Sequence, residues 1–458
     1  MSARVRPLGA VPQAGALDLQ AVPVRVRSAA PSARAGLVGV LLTGAVLALS
    51  AARTNDLLPA SVRPIGATGL AGVFAHTGLP LGHVALIGVL SLMFVSYALA
   101  VRGAAGLSQR MVLTSIAALS ALFLLAPVLL STDIFSYQAY GRMGTLYAAN
   151  PYLHGPSTIM LDPLYPFIGS KWVSSPTAYG PLFTALSYPL ASLGISASVV
   201  AYKSIAAVSL LATVTLVWNG ARIRGLDPVR AAMLVGLNPL TVVWGLGGGH
   251  NDLLMLAPLA AGVYVLLQNR QVTGGAMIAV AAGIKLTAGL LLPFALVRPR
   301  AHKQRVLLGA GIASAVIAVL GFTLFGSGQL NLLSTLRHNQ AKGDWQSIPG
   351  FVTNELGLGD IGRLVGVLLG GVFVGVTIWL LMLVRQGRLD WIAGAGWATL
   401  AMLITAGSLL PWYIAWLTPL AALSPDHRLR RCTLTMTGIV LVIFMLSWVP
   451  HGSKLLGL

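Results

Sequence analysis

Charge is scarce in this chain of 458 residues. Asp, Glu, Lys and Arg together make up 9% of it, against roughly a quarter in ordinary soluble domains. That scarcity excludes a soluble globular domain, which needs polar side chains to cover its surface. Acidic residues are rarer still, eleven in all, so each can be weighed singly. There is one cysteine, Cys432, which rules out an internal disulfide and a cysteine-based metal centre. It reads as a small buried hydrophobe. Internal sequence repeats are absent as well, which weakens the case for a repeat-built transporter.

What the chain has instead is apolar length. Hydrophobic residues make up 56% of it, arranged in runs of ~20 residues, the length that crosses a bilayer as a helix. They fall at 36–52, 80–101, 111–131, 196–219, 230–246, 252–268, 305–326, 361–385, 391–410 and 432–450, with shorter runs at 181–193 and 412–424. Backbone polar groups in lipid must be satisfied within each segment, so these runs are helices. The fold class is an all-α polytopic membrane protein.

The net charge of +19 is a statement about orientation, not about nucleic acid. Arg102 and Arg110, Arg222, Arg224 and Arg230, Arg385 and Arg388, and Arg428, Arg430 and Arg431 all fall on one side when the spans are threaded alternately. That is the positive-inside pattern. It predicts a plasma-membrane protein with a cytoplasmic amino terminus. Residues 1–35, rich in Ala, Pro, Val and Arg, read as a disordered basic cytoplasmic tail with no cleaved signal, and 36–458 as the membrane domain. Long extracytoplasmic loops are expected at 132–195 and 327–359. One segment resists simple threading: 274–297 has basic residues at both ends, which favours two half-helices meeting near Gly283-Ile-Lys285 over a single crossing, the alternative being a misplaced boundary of a neighbouring span.

Asp18 lies in the tail, Asp227, Asp390 and Asp426 among the cytoplasmic arginines, and Asp56, Asp344, Glu355 and Asp360 in or at the edge of extracytoplasmic segments, which leaves Asp133, Asp162 and Asp252. Asp133 sits at the outer rim of a span, where an ionisable group is costly and functional by default; capping of the next helix is the bland reading. In Ser131-Thr-Asp-Ile-Phe-Ser-Tyr-Gln-Ala-Tyr-Gly-Arg142, a helix starting here places Tyr137 and Tyr140 on adjacent turns, near Arg142. Asn150-Pro-Tyr152 and Ser175-Pro-Thr-Ala-Tyr179-Gly-Pro181 are turn chemistry that can also line a sugar site. Lys171, beside Trp172, is an anion contact or part of an interfacial anchor. Gly247-Gly-Gly-His250-Asn251-Asp252 places a base and a carboxylate after glycines that let backbone approach a ligand. The His spacing fits no two-histidine metal motif. Lys285, in an apolar setting, is either a snorkelling side chain or a phosphate partner.

The order Asp-Ile-Phe-Ser-Tyr-x-x-Tyr-Gly-Arg, Asn-Pro-Tyr, Tyr-Gly-Pro-Leu, Gly-Gly-His-Asn-Asp, Gly-Ile-Lys and Pro-Trp-Tyr, across about 110–425, resembles the polyprenol-phosphomannose-dependent α-1,6-mannosyltransferases of actinobacteria, which are membrane glycosyltransferases of the GT-C class. The resemblance implies a GT-C bundle of about 11–13 transmembrane helices, with its active site in extracytoplasmic loops. It implies a polyprenyl-phosphate-mannose donor, a lipid-linked mannoside acceptor on the α-1,6-mannan of lipomannan-type glycolipids, and surrounding membrane lipids. Asp133 matches the aspartate proposed there as general base, although that class usually carries it after the first span, which leaves Asp56 as a rival. Substrate-binding residues on this reading are Tyr137, Tyr140, Arg142, Asn150, Tyr152, Lys171, Tyr179, His250, Asn251, Asp252, Lys285, Trp412 and Tyr413. No cofactor is required; a divalent metal is compatible with the donor phosphate. The competing readings are a transporter or flippase of a polyprenyl-linked glycan, and the same enzyme class with another sugar.

Overall fold

A computed structural model describes residues 30–63, 69–299, 302–341, 344–446 and 448. The tail expected at 1–35 lies outside these residues as far as residue 29; from Ala30 onward the chain is already helical. Among the described residues there is no strand, as the hydropathy runs predict.

The first three helices are α1 (Ala30–Ser50), α2 (His83–Arg102) and α3 (Gln109–Leu125). Ser108 caps α3 by accepting from the Met111 amide at 3.2 Å. The helix ends at Leu125, short of the run expected to 131, because Pro127 has no N–H to continue the ladder. The segment expected as a long outer loop opens with α4 (Asp133–Leu146) and contains α5 (Pro181–Leu190). Then follow α6 (Ile195–Ile223) and α7 (Pro228–Gly236).

Beyond α7 the chain bends by 42° into a π-helical turn at Leu240–Leu246. Pro239 causes the bend, and the Asn238 side chain takes up the freed amides of Leu240 and Thr241 at 3.0 and 3.3 Å. This turn is buried throughout. Such i→i+5 turns concentrate at functional sites, and this one delivers Gly247–His250 to the head of α8 (Asn251–Leu267).

The 274–297 segment is a hairpin of two pieces. Helix α9 (Gln271–Ile284) stops at Lys285, which is extended (φ −147°, ψ 119°), and a 3-10 turn then leads into α10 (Leu291–Val297). The chain does come back: Arg298, just past α10, hydrogen-bonds the Gln271 side chain at the start of α9. Helix α11 (Lys303–Phe325) then runs parallel to α9, with Gly275 against Val306 and Ala310 and Gly283 against Ile317. Two parallel neighbours require a return between them, so Lys285 sits at the tip of a re-entrant pair.

The second expected loop holds α12 (Leu332–Ala341) and the single turn α13 (Ile348–Gly350). Helices α14 (Gly359–Arg385), α15 (Trp391–Thr405), α16 (Ile414–Leu423) and α17 (His427–Leu446) complete the bundle. Among the described residues, by length and composition, six helices can cross a membrane alone (α1, α2, α6, α11, α14 and α17), or seven if the bent α7 pair is one span. The other expected spans are shorter apolar helices such as α3, α8 and α15. The core runs through α7, the π turn, α8 and α16, whereas α14 has only 11% of its apolar window buried.

Candidate active site

Asp133 is the first residue of α4, and its own backbone N–H donates to Ser131 Oγ at 3.2 Å. Neither Thr132 nor Asp133 caps the helix with its side chain, so the bland reading does not account for the carboxylate. It lies instead 3.5 Å from His250 Nδ1. Burial pushes the Asp133 carboxyl up to about 6, Lys285 opposing and Asp252 reinforcing. A carboxyl poised there is ionised at neutral pH and can take a proton.

His250 is fully buried. Its ring stacks on Trp412 with centroids 3.5 Å apart, and Tyr137 Oη is 3.4 Å from the same Nδ1 that faces Asp133. Burial, with the Lys285 ammonium adding to it, pushes the imidazole well below the ordinary histidine range. A neutral ring can donate its Nδ1–H to the carboxylate and orient it. Tyr137 Oη also donates to Asn251 Oδ1 at 3.5 Å, tying α4 to the head of α8.

The second charged group is Lys285 at the hairpin tip. Its Nζ donates to Asp252 Oδ1 at 2.7 Å, and the indole N–H of Trp416 reaches the same oxygen at 2.6 Å. The ammonium lies 4.9, 5.1 and 5.9 Å from the ring centroids of Tyr413, Trp416 and Tyr179. Three aromatic faces and one carboxylate hold a cation with little water. Asp252 Oδ2, Asn251 Nδ2 and His250 Nε2 are buried without a hydrogen-bond partner, an arrangement that calls for an explanation at any site.

Two adjoining clefts meet at Asp133. The inner one, about 90 Å³, has Asp133, Tyr140, Tyr179, Lys285, Gln340 and Tyr413 among its walls. The outer one, about 280 Å³, includes Pro59, Ser131, Thr132 and Lys171. Asp133, Trp172, Asp344, Leu410 and Trp412 belong to both. Lys171 pairs with Asp344 and lies 5.3 Å from the Trp172 ring centroid, so one ion pair bridges the rim of both clefts.

Of the residues marked in the sequence, Asp133, Tyr140, Lys171, Tyr179, Lys285, Trp412 and Tyr413 line a cleft. Tyr137, His250, Asn251 and Asp252 stand directly behind that wall. Three go elsewhere. Arg142 follows Asp133 by nine positions, about 180° around the helix, and pairs with Asp162 at 2.8 Å. Asp162 also accepts from Tyr147 Oη and the Leu164 amide, both at 2.8 Å; although burial pushes it up, these contacts hold it below its ordinary range. Asn150 accepts from the Tyr152 amide and donates to the Phe325 carbonyl. Tyr152 is fully buried and donates to the Tyr179 carbonyl at 2.9 Å. Both brace the loop that presents Tyr179, and neither lines a cleft. Asp56, the rival to Asp133, pairs with His83 at 2.7 Å and lines neither cleft.

Asp344, Gln340 and Trp416 escaped the sequence reading. Trp416 was within reach, since it lies one helical turn beyond Trp412 and Tyr413. Asp344 and Gln340 carry no local signal. Among the described residues no group of three or more His, Cys, Asp or Glu is placed to hold a metal ion.

Comparison with known proteins bears on the same residues. A family model described as alpha-(1->6)-mannopyranosyltransferase, N-terminal domain, matches residues 34–300. A second, described as MptB C-terminal domain, matches 348–457. Alpha-(1->6)-mannopyranosyltransferase A of Mycobacterium tuberculosis is 29% identical over 460 residues, covering 92% of this chain and 85% of that protein. Alpha-(1->6)-mannopyranosyltransferase B of Corynebacterium glutamicum is 26% identical over 365 residues, covering 69% and 60%. No solved structure matches.

Proposed function

The chain belongs to the alpha-(1->6)-mannopyranosyltransferase family and is a membrane glycosyltransferase that moves mannose; from that premise we propose that its donor is polyprenyl-phosphate-mannose and that Asp133 is the general base. The observation that carries this reading is the position of Asp133 on the wall shared by the two clefts. An inverting transfer needs a base on the acceptor side of the anomeric carbon and a cation on the leaving-group side.

The inner cleft suits the donor. Lys285 faces it from an aromatic cage, and sugar faces stack on rings such as Tyr179 and Tyr413. Next to it lies an apolar groove of about 720 Å³ between α14 and the end of α15. The groove shares Gln340 with the inner cleft and is lined by Gly362, Gly366, Gly370 and Phe373. An isoprenoid chain would find there the close backbone surface that small residues leave open, with its phosphate reaching the cleft. The outer cleft, with Lys171 and Trp172, suits the mannoside acceptor, whose lipid would stay in the membrane.

The chemistry is a single displacement. The 6-hydroxyl oxygen of the acceptor attacks the anomeric carbon as its proton passes to Asp133. The bond from that carbon to the phosphate oxygen breaks, and its electron pair leaves on polyprenyl phosphate, inverting β to α. Lys285 stabilises the charge that develops on the phosphate. His250 keeps the Asp133 carboxylate aimed and partly out of water. The arginine-rich end of the bundle faces the cytoplasm, which puts both clefts on the outer face of the plasma membrane.

The test is transfer in membranes given polyprenyl-phosphomannose labelled in the sugar and a mannoside acceptor. An α-1,6-linked product is expected, and its loss in Asp133→Asn with the variant still in the membrane. Product from that variant overturns the base; none from the unaltered chain overturns the donor.

A further inference from the structure

Lys203 has no place in this mechanism, yet it is among the most deeply buried charged side chains in the described structure, 1% exposed. It lies on α6, in the apolar part of the bundle. Among the described residues it forms no ion pair. An ionisable group so placed is costly and calls for a role.

Its partners are main-chain carbonyls. Nζ donates to the Ala126 carbonyl and, at 3.0 Å, to that of Pro127. These close the carboxyl end of α3, where the helix dipole favours a cation. The strap from Ala126 to Asp133 starts here and is tied down along its length. Leu129 N–H donates to the Gly247 carbonyl at 3.1 Å, and Leu130 N–H to the Leu57 carbonyl at 2.9 Å. Leu130 has φ of 61°, a left-handed conformation that a branched side chain adopts only when its surroundings hold it there. The stem of Lys203 lies against Gly249, in the turn that delivers His250. One lysine therefore touches both segments whose side chains meet at the Asp133–His250 pair.

We propose that Lys203 is a positioning residue for the transfer: it pins the Ala126–Ser131 strap to the glycine turn, and so holds the Asp133 carboxylate against His250 and shielded from water. This rests on Asp133 being the base. Removing the pin frees one end of a strained strap, and relief of the Leu130 strain then favours withdrawal of Asp133.

The test compares unaltered chain with Lys203→Met in detergent or nanodiscs, reading kcat, KM for the donor, thermal melting and the pH profile of kcat/KM. A displacement of the base of ~1 Å is expected to lower kcat on the order of 10- to 100-fold, with KM little changed. The acid limb of the profile reports the base, whose carboxyl faces His250, Lys285, Asp252, Asp344 and Ser131. In Lys203→Met that limb moves to lower pH, because hydration restores an ordinary carboxylate. A purely structural lysine lowers the folded fraction and scales the profile without moving the limb. That outcome, or unchanged kcat, overturns the proposal. If Lys203→Met does not accumulate, Lys203→Gln, whose polar side chain is one atom shorter and falls short of the place of Nζ between the Ala126 and Pro127 carbonyls, is read for the same shift, and an unmoved limb there is equally fatal. Activity retained in Asp133→Asn refutes the base itself, and so separates the two failures.

Discussion

At the arginine-rich end, Asp390 accepts from the Ile392 and Ala393 amides with one oxygen and from Arg224 at 2.9 Å with the other. Asp227 caps α7 in the same way through the Val229 and Arg230 amides. At the opposite end, no amide caps onto Asp133, and Asp252 leaves one buried oxygen without a partner. The same residue type is a saturated cap in one place and an under-satisfied group in the other. Saturation makes a carboxylate a structural part, since both its oxygens are already engaged. Under-satisfaction, costly in a buried site, leaves it free to take a proton or hold a cation that faces substrate.

That contrast can be broken from the site side first. Asp133→Asn keeps shape and removes basicity, so transfer should fall roughly 10³-fold with the protein still folded in the membrane, read by product formation. Next in size is Lys285→Met. It strips the cation from the inner cleft and leaves Asp252 buried without its ion pair, which costs about 3–5 kcal/mol of stability by melting in detergent. Adding Asp252→Asn should recover most of that stability and none of the transfer, which separates folding from chemistry.

The pH dependence has a definite sign. With its carboxyl raised to about 6, Asp133 is ionised above that pH and protonated below it. Transfer should therefore fall as pH drops through about 6, read as the acid limb of the rate profile. Smaller effects follow at the rim. The Lys171 side chain is 39% exposed, so Lys171→Ala should change stability by no more than ~1 kcal/mol and chiefly shift the acceptor KM. At the far end, Asp390→Ala should cost about 1 kcal/mol and leave turnover per folded molecule unchanged. A loss of turnover there would erase the distinction between the two ends.

Much of this was legible in the sequence. Backbone groups in an apolar run must pair locally, so hydropathy alone predicts helices, and it does so even where the helix proves too short to cross. Basic residues flanking 274–297 favoured a return near Lys285, because a single crossing would strand one cluster on the wrong side, but a misplaced boundary of a neighbouring span would have relieved the same conflict. Asp133, His250 and Lys285 stood out because polar groups are rare there. Arg142, Asn150 and Tyr152 stood out for the same reason and were misplaced. Scarcity marks a residue as used, but not for what. Arg142 is turned away by helical phase, and Asn150 and Tyr152 are consumed by loop hydrogen bonds.

By itself, then, the sequence determined the helical class, the polar segments and the family, through its apolar periodicity and the order of its motifs. Only the tertiary structure decided which charges meet. Asp133 and His250 are 117 positions apart in chain order, and Lys285 and Asp252 are 33 apart. Electrostatic partners are set by distance and burial, and in a bundle whose connections fold back, neither follows from position along the chain.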